Sequence, residues 1–201
     1  MGAKPYTQVK NLDITGAIIE IGSERSEGST TFLYNFAKAN NFPFYTVDFN
    51  KEQYFNALRI TNGHGAYNMS GEEFLGNIFP LLGEKISFAY LDNFDLITND
   101  GRDWEKRKAL YKQYGFDMTN TNSKIAHMTQ AVLIEKYQAK TCHIIFDDTW
   151  IDSLSKEFQG KGAWAIRPLQ HAKFKIQNNI FVGSEIDGLK NGFVLMSKIN
   201  K

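Results

Sequence analysis

Acids stand where apolar runs end in this chain, and their spacing is the first feature that could do chemistry. Residues 17–30, AIIEIGSERSEGST, run from an apolar stretch through Gly22, cross a loop that carries Gly28, and pass Ser29 and Thr30 into a helical pattern. A strand, a glycine-punctuated loop and a helix N-terminus together make a cradle for an anion. Yet Glu20, Glu24 and Glu27 line this one. A P-loop needs four residues between its glycines and then Lys, whereas five separate Gly22 from Gly28 and Ser29 follows. The dinucleotide fingerprint needs a second glycine where Ser23, Glu24 and Arg25 stand. Two like charges about 4 Å apart cost about 4 kcal/mol at an effective dielectric near 20, roughly three decades of affinity, so the loop is unsuited to pyrophosphate. It suits a ligand with an ammonium group for Glu20 and a carboxylate for the amides and hydroxyls of Ser29 and Thr30.

Asp48 closes the run FYTVDF, twenty residues after Gly28, the separation at which an acid reaches ribose hydroxyls. Its alternative role is to cap a helix over 51–59. A second constellation consists of Asp92, closing ISFAYLD, and Asp147 and Asp148, closing HIIFDD. Three carboxylates brought together repel one another unless a cation or a proton intervenes. Oxygen ligands alone point to magnesium, calcium or manganese and away from zinc. The plainer reading makes Asp147 and Asp148 caps of a following helix.

The elements that must position these residues are short. Runs at 17–22, 44–49, 86–92 and 143–148 read as buried strands, with helical patterns between them at 31–40, 51–59, 72–82 and 125–138. Strand–helix alternation predicts an α/β fold, a Rossmann-like doubly wound, mostly parallel sheet with ligands beyond the carboxyl ends of its strands. Residues 174–199 hold strand-like runs with no helix between them and predict a C-terminal antiparallel hairpin. Residues 93–124 lack clear periodicity and lie on the ligand side, so they are the expected substrate cover, with an ordinary surface helix as the alternative.

At this point EIGSERSEGST resembles the first motif of the class I S-adenosylmethionine-dependent methyltransferases. More narrowly, it is similar to the E-x-G-S-x-x-G-x-S-T form of the macrocin-type sugar O-methyltransferases, with one extra residue in the loop. The resemblance covers residues 17–150. It implies S-adenosylmethionine as cofactor, with Glu20, Gly22, Ser23, Gly28, Ser29 and Thr30 around its amino-acid end and Asp48 at its ribose. AYNMSGEEFL (66–75) looks like the family's third motif, which implies Ser70 and Gly71 against the adenine; a helix cap by Ser70 is the alternative. The same resemblance implies a divalent metal, magnesium first, on Asp92, Asp147 and Asp148. Such a metal lowers the pKa of the acceptor hydroxyl and aligns it with the methyl group. Asp92 is the first choice of general base and His127 the second. Few residues precede the first strand, so the cover is expected from 93–124 or from a neighbouring subunit of a homo-oligomer.

Composition sets the outer limits. The 201 residues, 42% hydrophobic and 22% charged, suit one domain over 1–201. A net charge of +1 gives no field to attract nucleic acid or an acidic membrane. The basic stretch at 102–112 also carries Asp103 and Glu105, as a solvated face does. No run approaches the roughly 18 apolar residues of a membrane span, and the single Cys142 fits a reducing, cytoplasmic setting. The resemblance implies divalent-metal-assisted O-methylation of a small hydroxylated molecule, which makes a small-molecule methyl acceptor the expected partner. Two other functions stay open: a metal-independent N- or O-methyltransferase of the same fold, and a non-catalytic nucleoside-binding protein.

Overall fold

The strand β1 (Ala17–Ile21) is buried along its whole length, Glu20 included, as a strand covered on both sides must be. The computed structural model that shows this describes residues 4–23, 28–98, 101–152, 154–182 and 191–199. β1 pairs in parallel with β2 (Phe44–Val47) on one side and, on the other, with a strand that follows the short β3 (Ala66–Tyr67), namely β4 (Ile86–Leu91). β5 (Gln138–Phe146) continues the parallel set. A hairpin of β6 (Thr149–Ile151) and β7 (Phe158–Gly160) lies outside this sheet. β8 (Lys175–Val182) and β9 (Asn191–Ile199) close it antiparallel. Among the described residues the order is β3-β2-β1-β4-β5-β9-β8. The chain winds outward from β1 one way and from β4 the other, so the topological switch lies between those two strands. The predicted Rossmann-like sheet and its antiparallel end are therefore present.

Period-two alternation sends the side chains to two cores. Ile18, Phe88, Tyr90 and Ile145 face helix α1 (Ser29–Ala39), where Leu33 and Ala37 meet them, and a 3-10 turn over Pro5–Asn11 adds Tyr6 and Val9. Burial of a side chain such as Leu33 contributes roughly 1.5–3 kcal/mol. Ile19, Ile21, Ala89, Leu91, Ile144 and Phe146 face the other way. There they meet α5 (Asn120–Tyr137) and α6 (Ala163–His171). α2 (Lys51–Ile60) starts at Asn50, whose side chain accepts from the Glu52 amide.

Three segments differ from the sequence expectation. The helix expected at 72–82 breaks into a short α3 (Gly71–Glu73), a π turn over Phe74–Ile78 and a 3-10 turn over Phe79–Leu82 with Pro80, a residue without an amide to donate, in its first turn. The long helix begins at Asn120 instead of 125, because Thr119 caps it by accepting from the Asn122 amide at 3.0 Å. Residues 93–124 hold a helix of their own, α4 (Trp104–Gln113), capped by Asp103. Phe94, Tyr111 and Phe116 from this segment cluster with Phe49, just past β2, at ring distances of 5.0 Å to Tyr111 and 4.8 Å to Phe116. Asp95 pins the arrangement, accepting from the Tyr111 hydroxyl at 3.1 Å and from Arg107 at 3.0 Å. The segment thus folds down over the carboxyl end of β2.

Gly22 ends β1 with φ +99°, and a Cβ there would stand 2.6 Å from the Asn93 nitrogen and from the Asp92 carbonyl carbon. Backbone meets backbone at the switch point, and neither side can yield as a side chain would. Gly22→Ala is expected to lose about 2 kcal/mol or more in urea unfolding. Gly76→Ala, at a site with nothing within 4 Å, should be neutral or slightly stabilising. Equal effects at the two sites would contradict the close approach.

Candidate active site at the strand ends

Glu20 shares the face of Ile18 and so lies beneath the start of α1. Its Oε2 accepts from the hydroxyls of Thr30 and Thr46, each at 2.6 Å, and no part of it is exposed. The positive end of the helix macrodipole favours a carboxylate in that position. Ser23 adds a hydroxyl contact to Thr46 at 2.6 Å. Gly28 is the residue before α1, and Ser29 and Thr30 are buried in its first turn. Glu24 and Glu27 lie outside the described residues.

Asp48, also buried, does two jobs at once. Its Oδ2 accepts from the Ser23 amide at 3.1 Å and its Oδ1 from the Asn50 amide at 2.8 Å. The acid at the end of β2 therefore holds Ser23, just after β1, and helps to start α2. A carboxylate offers about four acceptor positions, so two amide bonds do not by themselves exhaust it.

Beyond the ends of β2, β3 and β4 opens a cavity of about 420 Å³, lined among others by Phe49, Ser70, Asn93, Phe94 and Phe116. That volume is in the range of small-molecule sites, roughly 300–1,000 Å³. Ser70 both borders it and caps α3, accepting from the Glu73 amide at 3.1 Å. Gly71 faces elsewhere: a Cβ there would sit 2.5 Å from Ile21 Cγ2, so it lets α3 close against β1. Asn93, 6% exposed, carries a buried Oδ1 with no hydrogen-bond partner among the described residues. An acceptor left so beside a cavity is a place for a ligand's donor. The cavity and the unsatisfied Asn93 acceptor leave room for a ligand ring that carries a donor. Sequence reasoning missed Asn93, whose signal was its position directly after the strand-end Asp92.

The expected metal site is not formed. Asp92 and Asp148 do come together, but around the ammonium of Lys161, which lies 2.7 Å from Asp92 Oδ1 and 2.8 Å from Asp148 Oδ2 and is 2% exposed. Asp147 turns to other partners: Oδ2 accepts from the Tyr90 hydroxyl and Oδ1 from the Asp148 amide at 2.9 Å. Among the described residues no group of three or more His, Cys, Asp or Glu could hold a metal ion. The repulsion that asked for a divalent cation is answered by a lysine and a tyrosine. Burial, with Asp92 and Asp148 nearby, pushes the Asp147 carboxyl up to about 8, against the pull of Lys161 and Tyr90. Burial acts on Asp148 as well, but the Lys161 charge and hydrogen bond, with Arg102 beyond, outweigh it and hold that carboxyl low.

The backbone explains why a lysine reaches there. The β6–β7 hairpin returns the chain to the end of β5, where Gly160 (φ +91°) runs so close that a Cβ would stand 1.9 Å from the Asp148 carbonyl oxygen. The Lys161 amide then donates to that same oxygen at 3.1 Å. A Cβ on Gly162 would stand 2.5 Å from the Phe146 ring. Sequence reasoning did not single out Lys161; its signal was the Gly-Lys-Gly triplet. His127, the second expected base, is fully buried in α5, and its Nδ1–H donates to the Ser123 carbonyl at 2.8 Å.

Comparison with solved structures gives the same architecture. SMU.1697c of Streptococcus mutans, solved with S-adenosylhomocysteine, matches with a TM-score of 0.58 at 12% identity over 99% of this chain and 100% of that one. The N-methyltransferase NodS of Bradyrhizobium japonicum matches at 0.55 and 14% identity, over 97% and 94%. The 1,6-didemethyltoxoflavin-N1-methyltransferase of Burkholderia thailandensis, solved with its acceptor and S-adenosylhomocysteine, matches at 0.55 and 11% identity, over 98% and 78%. No protein-family model matches the sequence, and no curated protein matches it significantly. The chain has the Rossmann-like fold of these methyltransferases.

Asp147 titrates near 3.8 when unfolded and near 8 when folded, so the folded protein keeps a proton that the unfolded chain releases between those values. The stability linked to it is intact below about pH 4 and declines as pH rises to about 8. Asn at this position cannot ionise and can still meet Tyr90 and the Asp148 amide. Asp147→Asn is expected to gain over the wild type from pH 5 to pH 8.5, reaching on the order of a few kcal/mol in urea unfolding. A margin that does not change with pH would contradict the assignment.

Proposed function

We propose that the protein transfers a methyl group from S-adenosylmethionine to a small-molecule acceptor. The observation that carries this reading is the bond from the Ser23 amide to Asp48, which joins the residues directly after β1 to the acid after β2 along one edge beside the switch point. One end of that edge suits an amino-acid head and the other a ribose. The fold shared with methyltransferases that hold S-adenosylhomocysteine supports it.

In this reading the backbone of Gly22, Ser23 and Gly28 and the first turn of α1, with Ser29 and Thr30, receive the amino-acid end. Glu20 acts through Thr30 and Thr46 to hold that loop. Asp48 takes the ribose hydroxyls, and Ser70 and Asn93 border the base, with Gly71 allowing the close packing behind them. S-adenosylmethionine, when bound, supplies a sulfonium methyl already activated for transfer. What remains for the chain is to orient the acceptor and exclude water. Asp92 and Asp148 lie at the mouth and would orient an N–H or O–H of the acceptor. His127 is too deeply buried to serve as the base. The segment 93–124, folded over the end of β2, covers one side.

Of the two enzyme readings, a metal-independent N- or O-methyltransferase is favoured over metal-assisted O-methylation, because Lys161 stands between two of the three aspartates. NodS and the toxoflavin enzyme are methyltransferases of nitrogen. Net charge of +1 supports a small acceptor over RNA.

Thermal unfolding tests this directly. S-adenosylhomocysteine at about 100 times its dissociation constant adds about 2.7 kcal/mol, a rise in Tm of roughly 5–10 °C for a chain of this size. NAD should give no rise. Asp48→Asn should weaken binding of S-adenosylhomocysteine about tenfold or more, because it removes a charged acceptor. Stabilisation by NAD alone, or by neither compound, would overturn the reading.

A further inference from the structure

The Lys161 ammonium sits within hydrogen-bond distance of two carboxylates from different strand ends, and almost none of it reaches solvent. A buried lysine is unfavourable unless it is paired, so its position must be held by the fold. Here it is held from both sides of the residue. Gly160 and Gly162 allow the backbone against Asp148 and Phe146, the Lys161 amide bonds the Asp148 carbonyl, and the Gly162 amide donates to Thr149 Oγ1 at 2.9 Å. Asp148 itself adopts φ +46°, a conformation uncommon for a residue with a side chain. Its side chain stays 39% exposed, so one carboxylate of the Asp92–Lys161–Asp148 group remains open to solvent.

We propose that Lys161 is the resident cation of this mouth, taking the place of a divalent metal by bridging Asp92 and Asp148 and fixing the Asp148 carboxylate toward the acceptor. The site is complete without a metal ion. A divalent ion could enter only by displacing the ammonium. The bridge itself stands on the geometry of the three side chains; the orientation of Asp148 toward an acceptor rests on the proposed methyl transfer.

The test uses the full chain after treatment with a chelator. Wild-type protein is expected to unfold at the same temperature with and without millimolar magnesium, and to leave the electron paramagnetic resonance signal of added manganese unchanged. Lys161→Ala should unfold several degrees lower and should be partly restored by manganese or by methylammonium, each of which returns a cation to the gap. Lys161→Met fills the space without charge and should be lowered without being restored. Manganese binding by the wild type that Asp148→Asn abolishes would overturn the proposal. So would a folded Lys161→Ala that neither cation restores. If Lys161→Ala fails to fold, the wild-type manganese measurement decides by itself.

Discussion

Acids crowd the carboxyl ends of this parallel sheet, and the fold closes because groups of the chain itself answer them. Glu20 takes two threonine hydroxyls beneath a helix N-terminus. Asp48 takes two backbone amides. Asp147 takes the Tyr90 hydroxyl, and Asp92 and Asp148 share the ammonium of Lys161. Each solution draws on a different element, so the loops after β1, β2, β4 and β5 are tied to one another through charge as well as through packing. Breaking a buried pair by removing one member costs about 3–5 kcal/mol. That is large against the 5–15 kcal/mol that keeps a typical protein folded.

The same bonds shape the crevice. Gly22 brings β1 against the Asp92–Asn93 backbone, and the Ser23–Asp48 bond carries the contact across to β2. Gly71 lets α3 close on Ile21 from behind. What stays open is the cavity bordered by Asn93, Ser70 and the aromatic residues of 93–124. Phe49 joins that segment to the sheet through Tyr111 and Phe116, so the segment that lines the cavity is anchored next to Asp48.

The strands at 17–22, 44–49 and 86–92 were legible because a strand buried on both faces is a plain apolar run. β5 was legible only in its second half, since its beginning, from Gln138 to Lys140, is largely polar and less buried than the apolar run that follows. The first turn of α5, Asn120 to Ser123, is polar as well, and its start is set by the Thr119 cap, which periodicity does not register. α6 carries Pro168 inside it, a residue that argues against a helix in any sequence reading. The aspartates were legible as a cluster. Their counter-ion was not, because Lys161 is 69 residues from Asp92 and reaches it only through the β6–β7 hairpin. Charge balance at a site depends on contacts of that range, and strand-end spacing alone left a gap that a metal could equally have filled.

The most direct measurement is a crystal structure of the protein grown with S-adenosylhomocysteine and magnesium together. The account predicts density for the ligand along the edge from Gly22 to Asp48, its base bordered by Asn93, with the Lys161 ammonium still between Asp92 and Asp148. An empty crevice, or a metal ion seated on those two carboxylates with the lysine turned away, would contradict it.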